Sequence, residues 1–175
     1  MAKTSGGVRT LKVGSRNYQN RSLEVAKMRE SGLYSSVTFS TIGGGYVAIE
    51  ASPLAHTEDE LDAARILADK GYKVILKNEA NFKMNVKTVD GYLFNASYEQ
   101  RTPTNDSATT IKNALGHARD KKADIAVIYS KNNAFSRYSV DKGLEMYEQA
   151  SKYRFKEIIV VSSSGNIHRR KHNDR

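Results

Sequence analysis

Cysteine is absent from all 175 residues. That excludes disulfides and thiolate metal sites, and leaves oxygen and imidazole as the only ligands the chain can offer a metal. A chain without disulfides also suits a reducing cytosol. Long hydrophobic runs are missing too: Ile125–Tyr129 and Ile158–Val161 are the longest, far short of the ~20 apolar residues that span a bilayer. The N-terminus lacks the apolar stretch of a signal peptide. Together these absences predict a soluble, cytoplasmic protein with no membrane contact. No internal repeat or low-complexity tract is visible. The length fits one domain with tails, large enough to be held by apolar burial alone.

What is present in excess is positive charge. The net charge is +9, a balance that attracts phosphate, but its distribution matters more than its size. Residues 1–21 carry Lys3, Arg9, Lys12, Arg16 and Arg21 without a single acid. Residues 166–175 carry Arg169, Arg170, Lys171 and Arg175 against Asp174. The division that follows is a basic flexible N-terminal segment (1–21), one α/β domain (22–165) and a basic C-terminal tail (166–175). Inside the domain, Glu58, Asp59, Glu60 and Asp62 form an acidic block, whereas Arg65 to Lys122 holds eleven Lys/Arg against six Asp/Glu.

Periodicity and punctuation predict the elements. Residues 22–31 read as a helix with Ser22 as cap and Gly32 as stop. Ser36–Glu50 reads as a hairpin around Gly43–Gly45; no P-loop lysine-threonine follows those glycines, so they read as a turn and not a phosphate cradle. Thr57-Glu-Asp-Glu60 is a capping box ahead of an amphipathic helix that Gly71 ends, and Tyr72–Leu76 follows as a buried strand. Met84–Val89 and Tyr92–Tyr98 are predicted to pair around an Asp90-Gly91 turn. Ser107 or Thr109 caps the next helix, Ala123–Tyr129 is a strand covered on both faces, a helix lies near Val140–Lys152, and Glu157–Ser162 is a last buried strand. An antiparallel hairpin inside an otherwise parallel α/β order excludes a plain Rossmann unit.

The stretches EDELDAARILADKGYKVILKNE (58–79), NVKTVDGYLFNAS (85–97), TTIKNALGHARDKKADIAVIY (109–129) and KEIIVV (156–161) resemble the C-terminal tRNase-like toxin domain of the CdiA contact-dependent inhibition proteins. That domain is a branch of the PD-(D/E)XK nucleases. The resemblance covers about residues 46–162 and implies a restriction-endonuclease-like α/β fold: a mixed central sheet with an internal antiparallel hairpin, flanked by helices. It further implies a metal-dependent endonuclease acting on RNA or DNA, tRNA in particular, delivered into a target-cell cytoplasm and blocked by an immunity protein. Two carboxylates on neighbouring strands would hold a divalent ion, Mg²⁺ or alternatively Zn²⁺ or Mn²⁺. A cation two residues beyond the second carboxylate would lie on the same side of its strand.

Two registers carry the motif over. With Asp90-Gly91 as the anchoring turn, its positions fall on Asn85, Asn95 and Ser97, a degenerate set that would need no metal. In the other register Asp90 and Glu99 are the carboxylates, Glu60 from the first helix completes the metal shell, and Arg101 replaces the motif lysine. Lys87, Lys112, His117 and Arg119 are the expected nucleic-acid contacts. Each has a plain structural alternative: Glu60 is N3 of a capping box, Asp90 a turn former, Glu99 and Arg101 a surface ion pair. Two further functions stay open. One is a degenerate fold member that binds nucleic acid or a protein without cutting; the other is a metal-free RNase of the barnase–RelE kind using His56 or His117 as base.

Overall fold

The capping box predicted at Thr57 forms as written. Thr57 Oγ1 accepts from Glu60 N at 3.3 Å, and Glu60 Oε2 accepts from Thr57 N at 2.7 Å. In the computed structural model, which describes residues 9–51, 55–78 and 88–172, this box opens α2 (Glu58–Asp69). The chain divides into two units, not the one expected. The first comprises residues 1–86 with 91–95, and the second 87–90 with 96–175.

In the first unit, α1 (Arg16–Glu30), β1 (Tyr34–Phe39) and β2 (Tyr46–Glu50) precede α2, and β3 (Lys73–Leu76) and β4 (Gly91–Leu93) follow it. The strands lie in the order β1-β2-β3-β4. β1 and β2 are the antiparallel hairpin expected, β2 and β3 run parallel around the α2 crossover, and β4 is antiparallel to β3. Ala63, Ala64, Leu67 and Ala68 of α2 are buried. The glycine cluster is a packing device: a Cβ on Gly43 would sit 1.9 Å from the Asp69 carbonyl oxygen. No side chain fits between that loop and the end of α2.

Two expectations need correction here. Helix α1 starts at Arg16 with Ser15 as cap, not at Ser22, so the basic N-terminal segment is partly helical. Only Val25 of α1 is fully buried, so the apolar period is too weak to mark the start. Polar contacts hold the segment instead. Arg21 Nη1 donates to the carbonyls of Gly44 (3.3 Å) and Gly71 (3.1 Å), and Arg9 stacks over Phe94 at 4.4 Å. The second correction concerns the hairpin turn. Asp90 stands just before β4, and the two-residue connection from β4 to β5 is Phe94-Asn95, with φ of 46° and 72°. Two consecutive left-handed residues are what a tight hairpin requires, and Asn tolerates that conformation. Asp-Gly was the stronger local signal but not the site used. Residues 84–87 of the predicted preceding strand lie outside those described.

The second unit contains β5 (Ala96–Arg101), α3 (Ala108–Asp120), β6 (Ile125–Ser130), a 3₁₀ turn (Lys131–Asn133), α4 (Arg137–Ala150), β7 (Glu157–Ser162) and β8 (Ile167–Lys171). Strand order is β5-β6-β7-β8, parallel except for the antiparallel β7/β8 pair. Every residue of β6 is buried, as its unbroken apolar run predicts. Ser107 caps α3. Ile111, Leu115 and Ala118 of α3 pack in one core with Val140 and Tyr147 of α4 and with Phe155. The residues from 166 to 172 are therefore not a free tail. β8 pairs with β7, Arg169 binds Glu157, and Arg170 binds Asp141. His172 is buried, with its Nδ1 accepting from Phe155 N at 3.0 Å. Charge hid this strand from the sequence reading, because each arginine finds an acid on a neighbouring element.

Candidate functional site

The site lies in the second unit and is built on β5. Alternation along a strand places Ser97, Glu99 and Arg101 on one side. Ser97 is spent on structure: its N–H donates to Asp124 Oδ2 (3.2 Å) and its Oγ accepts from Asp124 N (3.0 Å), tying β5 to the start of β6. Glu99 is 2% exposed. Its Oε1 faces Arg101 Nη2 at 3.6 Å and Lys121 Nζ at 3.5 Å. Its Oε2 is buried with no hydrogen-bond partner among the described residues. A buried carboxylate oxygen with nothing to accept from is costly, and natural structures rarely keep one without a use.

Asp90 is also buried, 7% exposed, and Oδ2 accepts from Gln100 N at 2.7 Å. Burial first, then repulsion from Asp90, push the Glu99 carboxyl up to about 7; Lys121 and Arg101 pull it back, but not far enough. Two carboxylates held close in a poorly solvated place cannot both ionise cheaply. The pair thus stores a demand for positive charge.

The cations around it are fixed from three elements. Arg101 closes β5. Lys121 caps the C-terminal end of α3, where its Nζ also donates to Thr88 O at 2.7 Å. His117 stands one turn earlier, its Nδ1 3.3 Å from Arg101 Nη2. A guanidinium only donates, so Nδ1 is the acceptor and the ring proton sits on Nε2. Beside His117, α3 and α4 enclose a cleft of about 310 Å³ bordered by Lys112, Asn113, Arg119 and Tyr147.

The structure therefore brings together Asp90, Glu99 and Arg101 of the expected site, with His117 against Arg101 and with Lys112 and Arg119 beside His117. It does not gather Glu60 with them. Among the described residues no three of His, Asp and Glu form a metal-ligating group. Glu60 belongs to the first unit, where Oε2 serves the capping box and faces His56 Nδ1 at 3.4 Å. Asn95 is a turn residue and Ser97 a structural clasp, so the alternative register leaves those two without a shared cleft; Asn85 and Lys87 lie outside the described residues. Lys121 was missed. It sits one residue past its helix, and only the fold shows which carboxylate that helix end meets.

Two carboxylates, one with an orphaned oxygen, are the donor set that suits Mg²⁺ or Mn²⁺, which keep several waters and bind through one or two carboxylates plus substrate phosphate. They do not suit Zn²⁺, which takes three protein ligands at a catalytic site. Asp90 and Glu99 are the residues that would hold such an ion.

No protein-family model matches the chain, and no curated protein matches it. A solved structure, the CdiA-CT/CdiI toxin and immunity complex from Burkholderia pseudomallei, is similar over 70% of this chain and 93% of that one, at 20% identity and a TM-score of 0.47.

Proposed function

We propose that the second unit is a metal-dependent nuclease site of the PD-(D/E)XK kind, acting on nucleic acid. One observation carries this reading: a buried Asp90–Glu99 pair with an unpartnered Glu99 oxygen, flanked by the fixed cations Arg101 and Lys121. A divalent ion bound there would supply neutralisation of the phosphodiester and an activated water. The protein's own groups do the rest. Asp90 and Glu99 set a negative, desolvated floor, while Arg101 and Lys121 place positive charge where a phosphate oxygen gains negative charge. His117 holds the Arg101 guanidinium in place. Lys112 and Arg119 line a cleft that attracts the adjoining backbone phosphates. The sequence resemblance supports the toxin role, tRNA as the substrate class and an immunity protein as partner.

Purified protein incubated with RNA and with DNA tests the reading. Cleavage should require Mg²⁺ or Mn²⁺, stop in EDTA, and disappear in Glu99→Gln and Arg101→Ala. Full activity in both variants would sink it. A second reading, binding without cutting, is favoured by one feature: Arg101 and Lys121 already partly neutralise Glu99. It predicts salt-sensitive binding that survives EDTA, with no cleavage at any metal concentration. The metal-free RNase reading instead predicts EDTA-resistant cleavage lost on His117→Ala.

A further inference from the structure

A second cavity in the same unit has no part in the site above. Its volume is about 450 Å³, within the range of roughly 300–1,000 Å³ typical of small-ligand sites. It opens at the C-terminal ends of two adjacent parallel strands, bordered by the last residue of β6, Ser130, and the last of β7, Ser162. That edge of a parallel sheet is where α/β proteins bind ligands, because the loops diverge there and helix N-termini point in. Here the helix is α4, whose first residues Ser136 and Arg137 line the opening.

The walls differ in chemistry. Phe135, Val140 and Val160 make an apolar part, whereas Arg137, His168 and Arg170 make a cationic one. Asp141 is the only acid on the lining; it already holds Arg170 and lies 3.8 Å from Arg137. Arg137 is the most open of these cations, its side chain 89% exposed. Ser130 supplies the independent sign of a ligand. It is 6% exposed, it lines the cavity, and its hydroxyl has no hydrogen-bond partner among the described residues. Buried hydroxyls normally find partners, so this one is positioned for a group that enters from outside.

We infer that this cavity binds a nucleoside monophosphate unit, with the flat base against Phe135, Val140 and Val160 and the phosphate at Arg137 and the α4 N-terminus. An apolar slot alone would take any hydrophobe, and a cationic rim alone any anion. The two within one cavity of nucleotide size, with hydroxyls at Ser130 and Ser162 between them, select a ligand with both parts. The unit can come from a free nucleotide or from one nucleotide of a strand, and the inference does not depend on cleavage at Glu99.

Calorimetric titration of the full chain with AMP, adenosine, inorganic phosphate and a 5′-phosphorylated single-stranded oligonucleotide tests it. AMP should bind saturably at one site, and more tightly than adenosine or phosphate alone. Affinity should fall about tenfold or more in Arg137→Glu, which removes a charge-assisted contact, and similarly in Val160→Phe, which fills the slot. Glu99→Gln should bind AMP like the parent. An oligonucleotide that displaces AMP identifies the strand as source; one that binds alongside it identifies a free nucleotide; both keep the inference. Circular dichroism establishes that each variant is folded, and Arg137→Glu, at an exposed position, remains decisive if Val160→Phe fails to fold. Three results overturn the inference: no saturable AMP binding, phosphate binding as tightly as AMP, or AMP affinity unchanged in Arg137→Glu.

Discussion

Glu60 and Glu99 have the same side chain and were expected to serve the same ion, yet the two units treat them in opposite ways. In the first unit Glu60 completes a capping box and meets His56. Its neighbours follow that habit: Glu24 takes Lys73 and Tyr46, Asp69 takes the Ser40 hydroxyl, and Arg21 takes two loop carbonyls. In the second unit Glu99 is buried more deeply, with one oxygen left over and its carboxyl raised to about 7. Charge that is partnered at every atom explains itself structurally. Charge that is buried at a cost and left incomplete calls for a ligand. The difference between the units is therefore one of satisfaction, not of composition.

The largest test of that contrast pairs Glu60→Gln with Glu99→Gln. The second should lower metal-dependent cleavage by about a hundredfold or more, as loss of a preorganised charged group does. The first should leave cleavage within about twofold and cost only ~1 kcal/mol of stability through the weakened cap. Cleavage rates and melting curves on both variants decide it, and equal losses of activity would erase the distinction drawn here.

Gly43 probes the structural side. Its missing Cβ would lie 1.9 Å from Asp69 O, and backbone cannot give way as a side-chain tip can. Gly43→Ala should therefore destabilise by about 3 kcal/mol, at the upper end of overpacking costs. Urea denaturation measures this, and a loss below ~1 kcal/mol would mean that the loop is looser than its contacts imply.

Titration sharpens the contrast further. Glu99 has its folded pKa raised above the unfolded value of 4.5. Between about 4.5 and 7 the folded protein keeps a proton that the unfolded chain releases, so this group's contribution makes stability fall as pH rises through that window. Over the full window the effect is on the order of a few kcal/mol at most. Glu99→Gln should flatten the fall and melt higher than the parent at pH 8, while melting alike at pH 4.5. A parent–variant difference that does not change with pH would contradict the buried-charge account. The same proton competes with a cation, so Mg²⁺ should bind more tightly as pH rises through 7.

Much of the fold was legible because local signals agreed with it: the Thr57 capping box, the Gly71 stop, and the apolar runs at 125–129 and 158–161. What failed failed for physical reasons. Phe94-Asn95 carries the hairpin although Asp90-Gly91 has better turn chemistry, because pairing with β3 and β5 sets the register and not the dipeptide. β8 reads as a charged tail because its arginines are neutralised by Glu157 and Asp141, twelve and twenty-nine residues away. At the site, strand alternation was enough to link Glu99 with Arg101. Lys121 and the fate of Glu60 needed the fold, since a carboxylate's partners on other elements leave no trace in its own sequence neighbourhood.

The smallest expected effect falls on α3, beside the cleft. Gly116 is interior to this helix, has no positive φ to justify it, and an added Cβ would meet only Arg119 Nη2 at 3.8 Å. Glycine costs a helix interior ~1 kcal/mol relative to alanine, so Gly116→Ala should stabilise the protein by up to about that much and raise its melting temperature by roughly 2–4 °C. Contrast this with Gly43, where the missing side chain is demanded by packing. Nothing in the packing asks for glycine at 116, but its neighbours Lys112, His117 and Arg119 border the cleft assigned to nucleic acid. A stability gain together with weaker, less salt-sensitive RNA binding would mean that the helix gives up stability to keep that cleft open. A gain with binding unchanged would place the backbone phosphates elsewhere, and leave the Glu99 cluster to stand without the cleft as its approach.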